Sequence, residues 1–179
     1  MGGQLAAARA WWMLACWAGH PDVRLLDGGI KAWMGAGGEV VEGDRAAPPT
    51  SDWRPAYRDD RWCEATRLQE EGVLLVDARS RERFRGEVEP IDPVAGHIPG
   101  AVCRPSADNL TPWGRFKPPG QLAGELPEAG EVIAYCGSGV TACHTILAYA
   151  VAGRPLPRLY PGSWSEWIRD PARPVATGD

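Results

Sequence analysis

Short apolar runs separated by turn-forming residues recur through the second half of the chain. Residues 73–77 read VLLVD and residues 131–135 read EVIAY. Nearly uninterrupted apolar runs of this length are typical of strands buried in a parallel sheet. Two shorter runs, at residues 101–102 and 158–160, are interpreted as a brief strand and a third strand. The apolar pattern therefore predicts a small parallel sheet.

Helical segments are predicted before, between and after these strands. Several of them end at a glycine, which is a common helix stop, and one follows a serine that can cap it. The predicted helices cover residues 62–71, 80–85, 121–126, 141–152 and 163–169. The proline-rich stretch between residues 87 and 118 is interpreted mainly as loop. Alternation of strands and helices predicts an α/β fold, an open parallel sheet with helices on both faces.

An internal repeat relates the start of the chain to its end. Aligned without gaps, residues 8–33 match residues 142–167 at eight positions, including Ala8 with Ala142 and Trp33 with Trp167. The second copy extends upstream to about residue 62, whereas few residues precede the matching helix in the first copy. We therefore expect the chain to begin inside its first repeat, as an N-terminally truncated tandem.

The repeat divides the chain into three predicted parts. Residues 1–43 are expected to be the C-terminal remnant of a non-catalytic domain, residues 44–59 a linker, and residues 60–179 a complete catalytic domain. The strands onto which the first copy would pack are missing from such a remnant. We therefore expect its tryptophans to lack packing partners, the chain to be poorly stable and its pocket to be open on one side; these tryptophans are Trp11, Trp12, Trp17 and Trp33.

Composition narrows the classes of function. The formal charge of −4, from 19 basic and 23 acidic residues, argues against a nucleic-acid partner, which calls for a basic surplus. The five cysteines form no C-x-x-C pair and the three histidines are scattered, so no metal site is predicted. Residues 5–19 are apolar apart from Arg9 but too short for a membrane span, and no basic segment precedes them. Free thiols indicate a reducing compartment, so we expect a cytoplasmic protein with no membrane partner.

Cys136 lies where a predicted strand meets a glycine-rich loop and a helix. Glycines allow the backbone N–H groups of such a loop to turn inward, and the helix N-terminus adds positive potential. Both effects stabilise a thiolate, which is the nucleophilic form of cysteine. The other four cysteines lack this setting. The sequence therefore predicts that Cys136 is a nucleophile at the carboxyl edge of the sheet, where α/β proteins bind ligands.

Two arginine pairs follow the first predicted strand. Arg79 and Arg83 are four residues apart, as are Arg81 and Arg85, so each pair shares one face of a helical turn. Arginine suits oxyanions because its planar guanidinium forms paired hydrogen bonds. We expect one pair to face Cys136 and bind a small anionic substrate, and the other to be solvated or structural.

These residues resemble the rhodanese-type sulfurtransferases. The loop CGSGVTA at residues 136–142 is similar to their active-site loop, in the form found in the 3-mercaptopyruvate branch. The segments VDAR at residues 76–79, GHIPGA at residues 96–101 and GSWSEW at residues 162–167 also match that family. The resemblance covers residues 60–170, and residues 8–29 look like the end of the family's non-catalytic first domain.

The resemblance implies a rhodanese-like fold and a transfer of sulfane sulfur. In such an enzyme, Cys136 takes sulfur from thiosulfate or 3-mercaptopyruvate, holds it as a persulfide and passes it to a thiol or cyanide acceptor, with a thioredoxin-like reductant as a further candidate. No metal or organic cofactor is implied. Arg83 carries over as a ligand of the anionic donor and Arg79 as a second pocket residue. The loop positions that carry over as substrate-binding are Gly137, Ser138, Gly139, Val140 and Thr141.

Some features depart from the family pattern and leave alternatives. The mercaptopyruvate branch usually has a second arginine nine residues after the position of Arg83, where this chain has Asp92.

A cysteine phosphatase would need an arginine six residues after Cys136, and Ala142 stands there. A non-enzymatic rhodanese module, serving as sulfur carrier or interaction domain, remains the alternative to a sulfurtransferase. His97, within GHIPG, is interpreted as a loop anchor rather than a base.

Overall fold

A four-stranded parallel sheet forms the centre of the molecule. The structure, a computed structural model, describes residues 2–44 and 46–179. The strands are β1 (Val73–Asp77), β2 (Val102–Cys103), β3 (Glu131–Tyr135) and β4 (Arg158–Leu159), in the order β2-β1-β3-β4. All three pairings are parallel, and Asp77 of β1 lies opposite both Cys103 and Tyr135. The carboxyl ends of the three strands β2, β1 and β3 therefore meet at one edge.

The described residues also form six α-helices. They are α1 (Gly2–Trp11), α2 (Gly29–Gly35), α3 (Arg81–Arg85), α4 (Pro119–Glu125), α5 (Val140–Val151) and α6 (Ser163–Trp167). Three 3-10 turns lie at Asp59–Arg61, Ala65–Gln69 and Ser106–Asn109. Helix α1 continues into a π-helical segment, Trp12–Trp17, where the N–H of Ala18 bonds the carbonyl of Met13 at 2.8 Å. The α/β fold with a parallel sheet, predicted from the alternating pattern, is confirmed.

Two apolar layers cover the two faces of the sheet. Alternate strand residues point to opposite faces, so Leu75, Ile133 and Tyr135 pack with α6 and with the 3-10 turn at 65–69. Ala134 and Leu159 face the other way and pack with α5 and the π-helical segment. The sheet is therefore buried on both sides, as a parallel sheet requires.

One predicted helix is wrong. Residues 62–71 do not form an α-helix, because Trp62 is extended and bridges Leu159 while the N–H of Cys63 bonds the carbonyl of Leu159 at 2.9 Å. Only Ala65–Gln69 is helical, as a 3-10 turn. Edge pairing with β4 thus overrides the helical pattern in this segment.

The first copy of the repeat packs directly on the second. Helix α1 lies along α5, and Trp12 is only 4% exposed in the apolar layer that contains Ala142 and Ile146. Trp17 packs against Tyr57 with their ring centroids 4.6 Å apart. The expectation that these tryptophans lack partners is therefore wrong for Trp11, Trp12 and Trp17, because all three pack against the apolar layer that contains α5, and Tyr57 also contacts Trp17. The division of the chain into residues 1–43, 44–59 and 60–179 remains a prediction.

Other features of the N-terminal segment differ from its repeat partner. Residues 19–28, all described by the structure, contain no strand, whereas the matching region of the second copy holds β4. Trp33 is about half exposed, and its indole N–H donates to the carbonyl of Glu39 at 3.0 Å. Among the described residues, no helix is long and apolar enough to cross a membrane.

Candidate active site

Cys136 follows β3 directly and is held by hydrogen bonds with Ser163 and Trp164 at the start of α6. Its N–H donates to Oγ of Ser163 at 3.1 Å, and its carbonyl accepts from the N–H of Trp164 at 3.0 Å. Ser163 is buried and is the only non-glycine residue with a positive φ in the described chain. Strain at such positions costs about 1–3 kcal/mol and clusters at functional sites. Ser163 accordingly anchors the cysteine from the neighbouring turn.

The loop after Cys136 carries backbone N–H groups that are not used in hydrogen bonds within the described chain. Within the described part of the chain, the N–H groups of residues 137–141 donate to no hydrogen-bond acceptor. Gly139 lies in the left-handed region with φ of +74° at the N-cap of α5, and a Cβ there would approach the carbonyl oxygen of Pro161 to 2.6 Å. Glycine is required at this position for both reasons. Free N–H groups at a helix start are suited to binding an anion.

Arg83, on α3, faces this loop. An ideal Cβ built on Gly137 would lie 3.5 Å from its Nη1 atom, an ordinary contact distance. The other two nitrogens are held by carboxylates: Nε and Nη2 bond Glu89 at 3.1 and 2.6 Å, and Nη2 lies 3.3 Å from Asp92. Nη1 has no acceptor among the described residues and is the atom left to meet a ligand.

Arg79 is placed differently from Arg83. Its side chain is 1% exposed, and its Nη2 bonds Asp77 and the carbonyl of Gly96, both at 2.7 Å. Its Nη1 lies 3.3 Å from Glu89, and the guanidinium stacks on the ring of Trp164. Burial lowers the pKa of Arg79, but the hydrogen bond and charge of Asp77 outweigh this and raise it overall. Arg79 thus borders the site while its hydrogen bonds go to the protein.

A cavity of about 340 Å³ brings most of the predicted site residues together. Cys136, Gly137, Ser138 and Thr141 line it from the loop, and Arg79 and Arg83 line it from the opposite side. Gly139 and Val140 are not part of this lining: Gly139 is buried against Pro161, and Val140 is partly exposed at the start of α5. The remaining lining residues, which sequence analysis did not single out for the pocket, are Leu5, Ala78, Ser80, Ile91, Asp92, Ser106 and Ser165.

Glu89 and Ser165 are the principal site residues that sequence analysis missed, and Asp92 was named there only as a departure from the family pattern. Oγ of Ser165 lies 2.7 Å from Asp92 and 2.8 Å from the carbonyl of Gly137, which ties α6 to the loop. Burial raises the pKa of Glu89, but hydrogen bonds from Arg83 and from the N–H groups of Asp92 and Ile91 outweigh it, and the net shift is downward. Glu89 is therefore a carboxylate at neutral pH. The acidic residues that follow the arginine-rich helix α3 were the sequence feature from which carboxylate partners for Arg79 and Arg83 could have been predicted.

The four other cysteines of the chain are free thiols. Burial raises the pKa of each of their thiols to about 11, so they are protonated at neutral pH; they are Cys16, Cys63, Cys103 and Cys143. None of them lines the cavity.

His97 bonds the carbonyl of Phe84 through Nδ1 at 2.8 Å and stacks on the Phe84 ring, so its side chain anchors its loop to α3. Over the described ranges, no group of three His, Cys, Asp or Glu side chains could hold a metal ion.

Comparisons with known proteins agree with this geometry. The model of the rhodanese-like domain family matches residues 63–170. The chain is 53% identical over 184 residues to a "Probable 3-mercaptopyruvate sulfurtransferase" of Pseudomonas aeruginosa, covering 97% of this chain and 64% of that protein. It is 36% identical to human 3-mercaptopyruvate sulfurtransferase (92% and 59% covered) and 36% identical to mouse thiosulfate sulfurtransferase (93% and 60%). The chain thus spans less than two thirds of these curated relatives.

Solved structures show the same fold. The anaerobic ergothioneine biosynthesis enzyme from Chlorobium limicola, in complex with trimethyl histidine, superposes with a TM-score of 0.83 at 26% identity, covering 98% of this chain and 46% of that one. A variant of EanB with ergothioneine covalently linked with a persulfide cysteine superposes with a TM-score of 0.82 at 25% identity, covering 97% and 45%. From its strand–loop–helix site and the match over residues 63–170, the chain belongs to the rhodanese-like domain family.

Proposed function

We propose that this protein is a sulfurtransferase that carries sulfane sulfur as a persulfide on Cys136. The observation that carries the proposal is the juxtaposition of three features around one cavity. Cys136 lines the cavity directly after β3, the loop residues Gly137, Ser138 and Thr141 line it with N–H groups that have no acceptor in the described chain, and Arg83 lines it from the opposite side. A nucleophile between two sets of anion-binding donors is suited to attack an anionic sulfur donor.

The first half-reaction transfers one sulfur atom to Cys136. The thiolate attacks the outer sulfur of thiosulfate, a new S–S bond forms, and the S–S bond to the sulfonate breaks as sulfite leaves with the electron pair. With 3-mercaptopyruvate, the C–S bond breaks, the electrons pass to the enolate of pyruvate, and the thiol proton ends on that carbon. In both cases the product on the protein is a cysteine persulfide anion, which the loop N–H groups stabilise.

The second half-reaction returns the cysteine to its thiolate. An acceptor thiolate or cyanide attacks the outer sulfur of the persulfide, so the S–S bond breaks and the Cys136 thiolate leaves. Cyanide becomes thiocyanate and a thiol becomes a persulfide. The names of the relatives support thiosulfate and 3-mercaptopyruvate as donors. A dithiol reductant of the thioredoxin kind is a further acceptor that this chemistry allows.

Intact mass spectrometry tests the proposal. After incubation with either donor and removal of small molecules, the protein should gain about 32 Da, the mass of one sulfur atom held covalently. Cys136→Ser should gain nothing. Cys103→Ser is the matched control, because Cys103 ends the neighbouring strand β2 but lies outside the cavity, and it should gain the same mass as the unmodified protein. A mass gain that persists in Cys136→Ser would contradict the proposal.

Turnover distinguishes the enzyme from a non-catalytic carrier module. The loaded protein should transfer its sulfur to cyanide and give thiocyanate over many cycles when donor is in excess. A protein that loads one sulfur atom but does not turn over with cyanide or a thiol would instead be a carrier. An N-terminally extended version of the chain provides the comparison, because the chain spans 64% or less of these relatives.

A further inference from the structure

Arg9, on α1, contacts the segment that carries the nucleophile. This segment, residues 136–141, is called the cysteine loop below. Nη1 of Arg9 donates to the carbonyl oxygen of Gly139 at 3.3 Å and lies 3.6 Å from Sγ of Cys143. Its guanidinium carbon lies 5.3 Å from the centre of the Trp12 ring. The Arg9 side chain thus joins α1 to the start of α5, across 130 positions of sequence.

The groups that Arg9 contacts are all neutral. A carbonyl and an indole ring carry no charge, and burial raises the pKa of Cys143 to about 11, so that thiol is protonated at neutral pH. No carboxylate among the described residues forms an ion pair with Arg9. Arg9 therefore brings a positive charge to the cysteine loop without a carboxylate that neutralises it.

The arginines on the other side of the loop differ from Arg9 in this respect. Arg79 and Arg83 line the cavity, and both are held in ion pairs of 2.6–3.3 Å. The carboxylates of these ion pairs are Asp77, Glu89 and Asp92. On α6, the carboxylate of Glu166 lies beside Gly162 and outside the cavity. The unpaired positive charge next to the loop consequently comes from α1.

Contact with the Gly139 carbonyl places this charge at one end of a peptide group. In a trans peptide the C=O and the following N–H point in opposite directions, so the N–H of Val140 points away from Arg9 and out of the N-terminal end of α5. This N–H has no acceptor in the described chain. A cation bound to the carbonyl polarises the peptide, which makes its N–H a stronger donor. Arg9 thereby strengthens the stabilisation of an anion at the loop.

We propose that Arg9 is a positioning residue for Cys136, which holds the cysteine loop through Gly139 and favours the thiolate through its unpaired charge. The inference rests on the proposed function, because it assigns a supporting residue to the nucleophile of that site. Arg9 does not line the cavity, so it acts on the cysteine rather than on the sulfur donor. A residue of the first repeat in this way sets the reactivity of the second.

Five variants separate the charge of Arg9 from its packing. Arg9→Met keeps an unbranched apolar stem, and Arg9→Gln keeps an N–H donor for the Gly139 carbonyl, but both remove the charge. Arg9→Lys keeps the charge. Gln4→Met is the matched control on α1, because Gln4 donates to the carbonyl of Gly114 at 3.0 Å, away from the cysteine loop. Arg24→Met removes one positive charge from a side chain that is 87% exposed.

The test is the pH profile of alkylation of Cys136 by iodoacetamide, a neutral reagent that reacts with thiolates, followed by intact mass with Cys136→Ser as the blank. A charge that acts through one peptide group should shift this profile by less than the 1–3 units of a direct ion pair. We therefore expect the pH of half-maximal rate to rise by about 0.5 in Arg9→Met and Arg9→Gln, which is about threefold slower alkylation below the midpoint. Arg9→Lys, Gln4→Met and Arg24→Met should keep the wild-type midpoint.

The midpoint distinguishes the proposed role from simple packing. If Arg9 only packed α1 against α5, Arg9→Met would lower the melting temperature and leave the midpoint in place. An unchanged midpoint in Arg9→Gln, which keeps the contact to Gly139, would overturn the proposal even if Arg9→Met did not fold. A shift of the same size in Arg9→Lys or in Gln4→Met would overturn it as well.

Sulfur loading separates this proposal from the proposed function. Because Arg9 acts on the cysteine, Arg9→Gln should slow mass gain from thiosulfate and from 3-mercaptopyruvate by the same factor, about threefold below the midpoint. Slowing with one donor alone would assign Arg9 to donor binding and contradict its role at the cysteine. If the wild-type protein loads from neither donor, the sulfurtransferase function fails, whereas the alkylation profile still decides the role of Arg9.

Discussion

Arg83 presents Nη1 to the cysteine loop while Glu89 and Asp92 hold its other two nitrogens. The carboxylates fix the guanidinium in one orientation, so a bound donor meets a positioned hydrogen-bond donor rather than a mobile side chain. Arg81, two residues away, is half exposed and pairs with Asp108. The two arginines therefore provide a matched pair for measurement.

We predict that Arg83→Ala lowers kcat/KM for the sulfur donor by about tenfold or more. Loss of a hydrogen bond to a charged group costs about 1.5–3 kcal/mol, which corresponds to that range. Arg83→Lys should recover only part of the activity, because an ammonium group cannot reproduce the planar geometry. Steady-state kinetics with both donors provides the measurement. Arg81→Ala should leave kcat/KM unchanged, and an unchanged value in Arg83→Ala would remove Arg83 from the site.

His144 is a buried histidine on α5 that the proposed chemistry does not use. It is 1% exposed, its ring stacks on Phe116, and neither ring nitrogen has a partner among the described residues. Burial lowers the pKa of His144 to about 4. The unfolded chain, with a histidine pKa of about 6.5, binds this proton more tightly than the folded protein does. Protonation of His144 therefore opposes folding.

We predict that stability falls as the pH drops from about 6.5 to about 4, with His144 contributing up to about 3 kcal/mol. Its contribution is unaffected above pH 6.5, where the imidazole is neutral in both states, and it levels off below pH 4. Urea denaturation across this pH range measures it. His144→Leu should lose this part of the pH dependence, whereas the control His20→Leu should keep it. Parallel pH profiles for wild type and His144→Leu would contradict the assignment.

The residues of the site could be predicted from sequence only where strand ends place them. Cys136 and Arg83 follow β3 and β1, whose carboxyl ends share one edge of the sheet, so their proximity follows from topology. Asp92 and Ser165 reach the cavity through a long loop and through α6. Their positions depend on tertiary contacts over more than 70 residues of chain, which no local pattern contains.

At the scale of elements, Gly137 and Gly139 stand in one loop but meet different constraints. A Cβ on Gly139 would strike the carbonyl of Pro161 at a left-handed backbone, whereas a Cβ on Gly137 would make ordinary contact with Arg83. Gly137 is outside the left-handed region, so alanine fits its backbone. Substitution by alanine should therefore affect mainly stability at Gly139 and mainly activity at Gly137.

We predict that Gly139→Ala lowers the free energy of unfolding by about 2 kcal/mol or more, from backbone strain and the clash with Pro161. Gly137→Ala should change stability by less than about 1 kcal/mol but lower kcat/KM, because its methyl group occupies the space between the loop and Arg83. Denaturant titration and donor kinetics on the two variants test this. Equal stability of both variants would count against the constraint at Gly139.

Elements were predictable where local and tertiary preferences agree. The strands at residues 73–77 and 131–135 are found at the predicted bounds because a buried strand is both an apolar run and a sheet centre. The segment 62–71 was mispredicted because its pairing with β4 is a property of the folded sheet. Helix α3 ends at Gly86 as predicted, where the glycine adopts a left-handed conformation.

At the scale of the whole molecule, α1 and the π-helical segment that continues it contribute to the same apolar layer as the cysteine loop. Trp12, Cys136 and Ile146 belong to one cluster of buried side chains. Arg9 also bonds the carbonyl of Gly139 at 3.3 Å, so α1 touches the loop itself. Leu5 completes one wall of the cavity. The N-terminal segment is thus part of the structure that supports the site.

We predict that Trp12→Ala destabilises the protein by about 3–5 kcal/mol, the usual cost of removing a buried tryptophan. Trp113, which is 84% exposed, is the control, and Trp113→Ala should change stability by less than about 0.5 kcal/mol. Chemical denaturation followed by circular dichroism avoids dependence on tryptophan fluorescence. If Trp12→Ala melts like wild type, the π-helical segment Trp12–Trp17 does not contribute to the cooperative unit.

The contact between Arg9 and Cys143 has a consequence for the symmetry between the two repeats. These residues occupy equivalent places in the two repeats, 134 positions apart, and Nη1 of Arg9 lies 3.6 Å from Sγ of Cys143. Equivalent residues that touch each other lie on a two-fold axis, as in a symmetric dimer of identical subunits. In such a dimer an arginine at this place would face another arginine. Within a single chain the two positions are free to differ, so an unlike pair can stand at this axis, and Arg9 can contact both Cys143 and the cysteine loop.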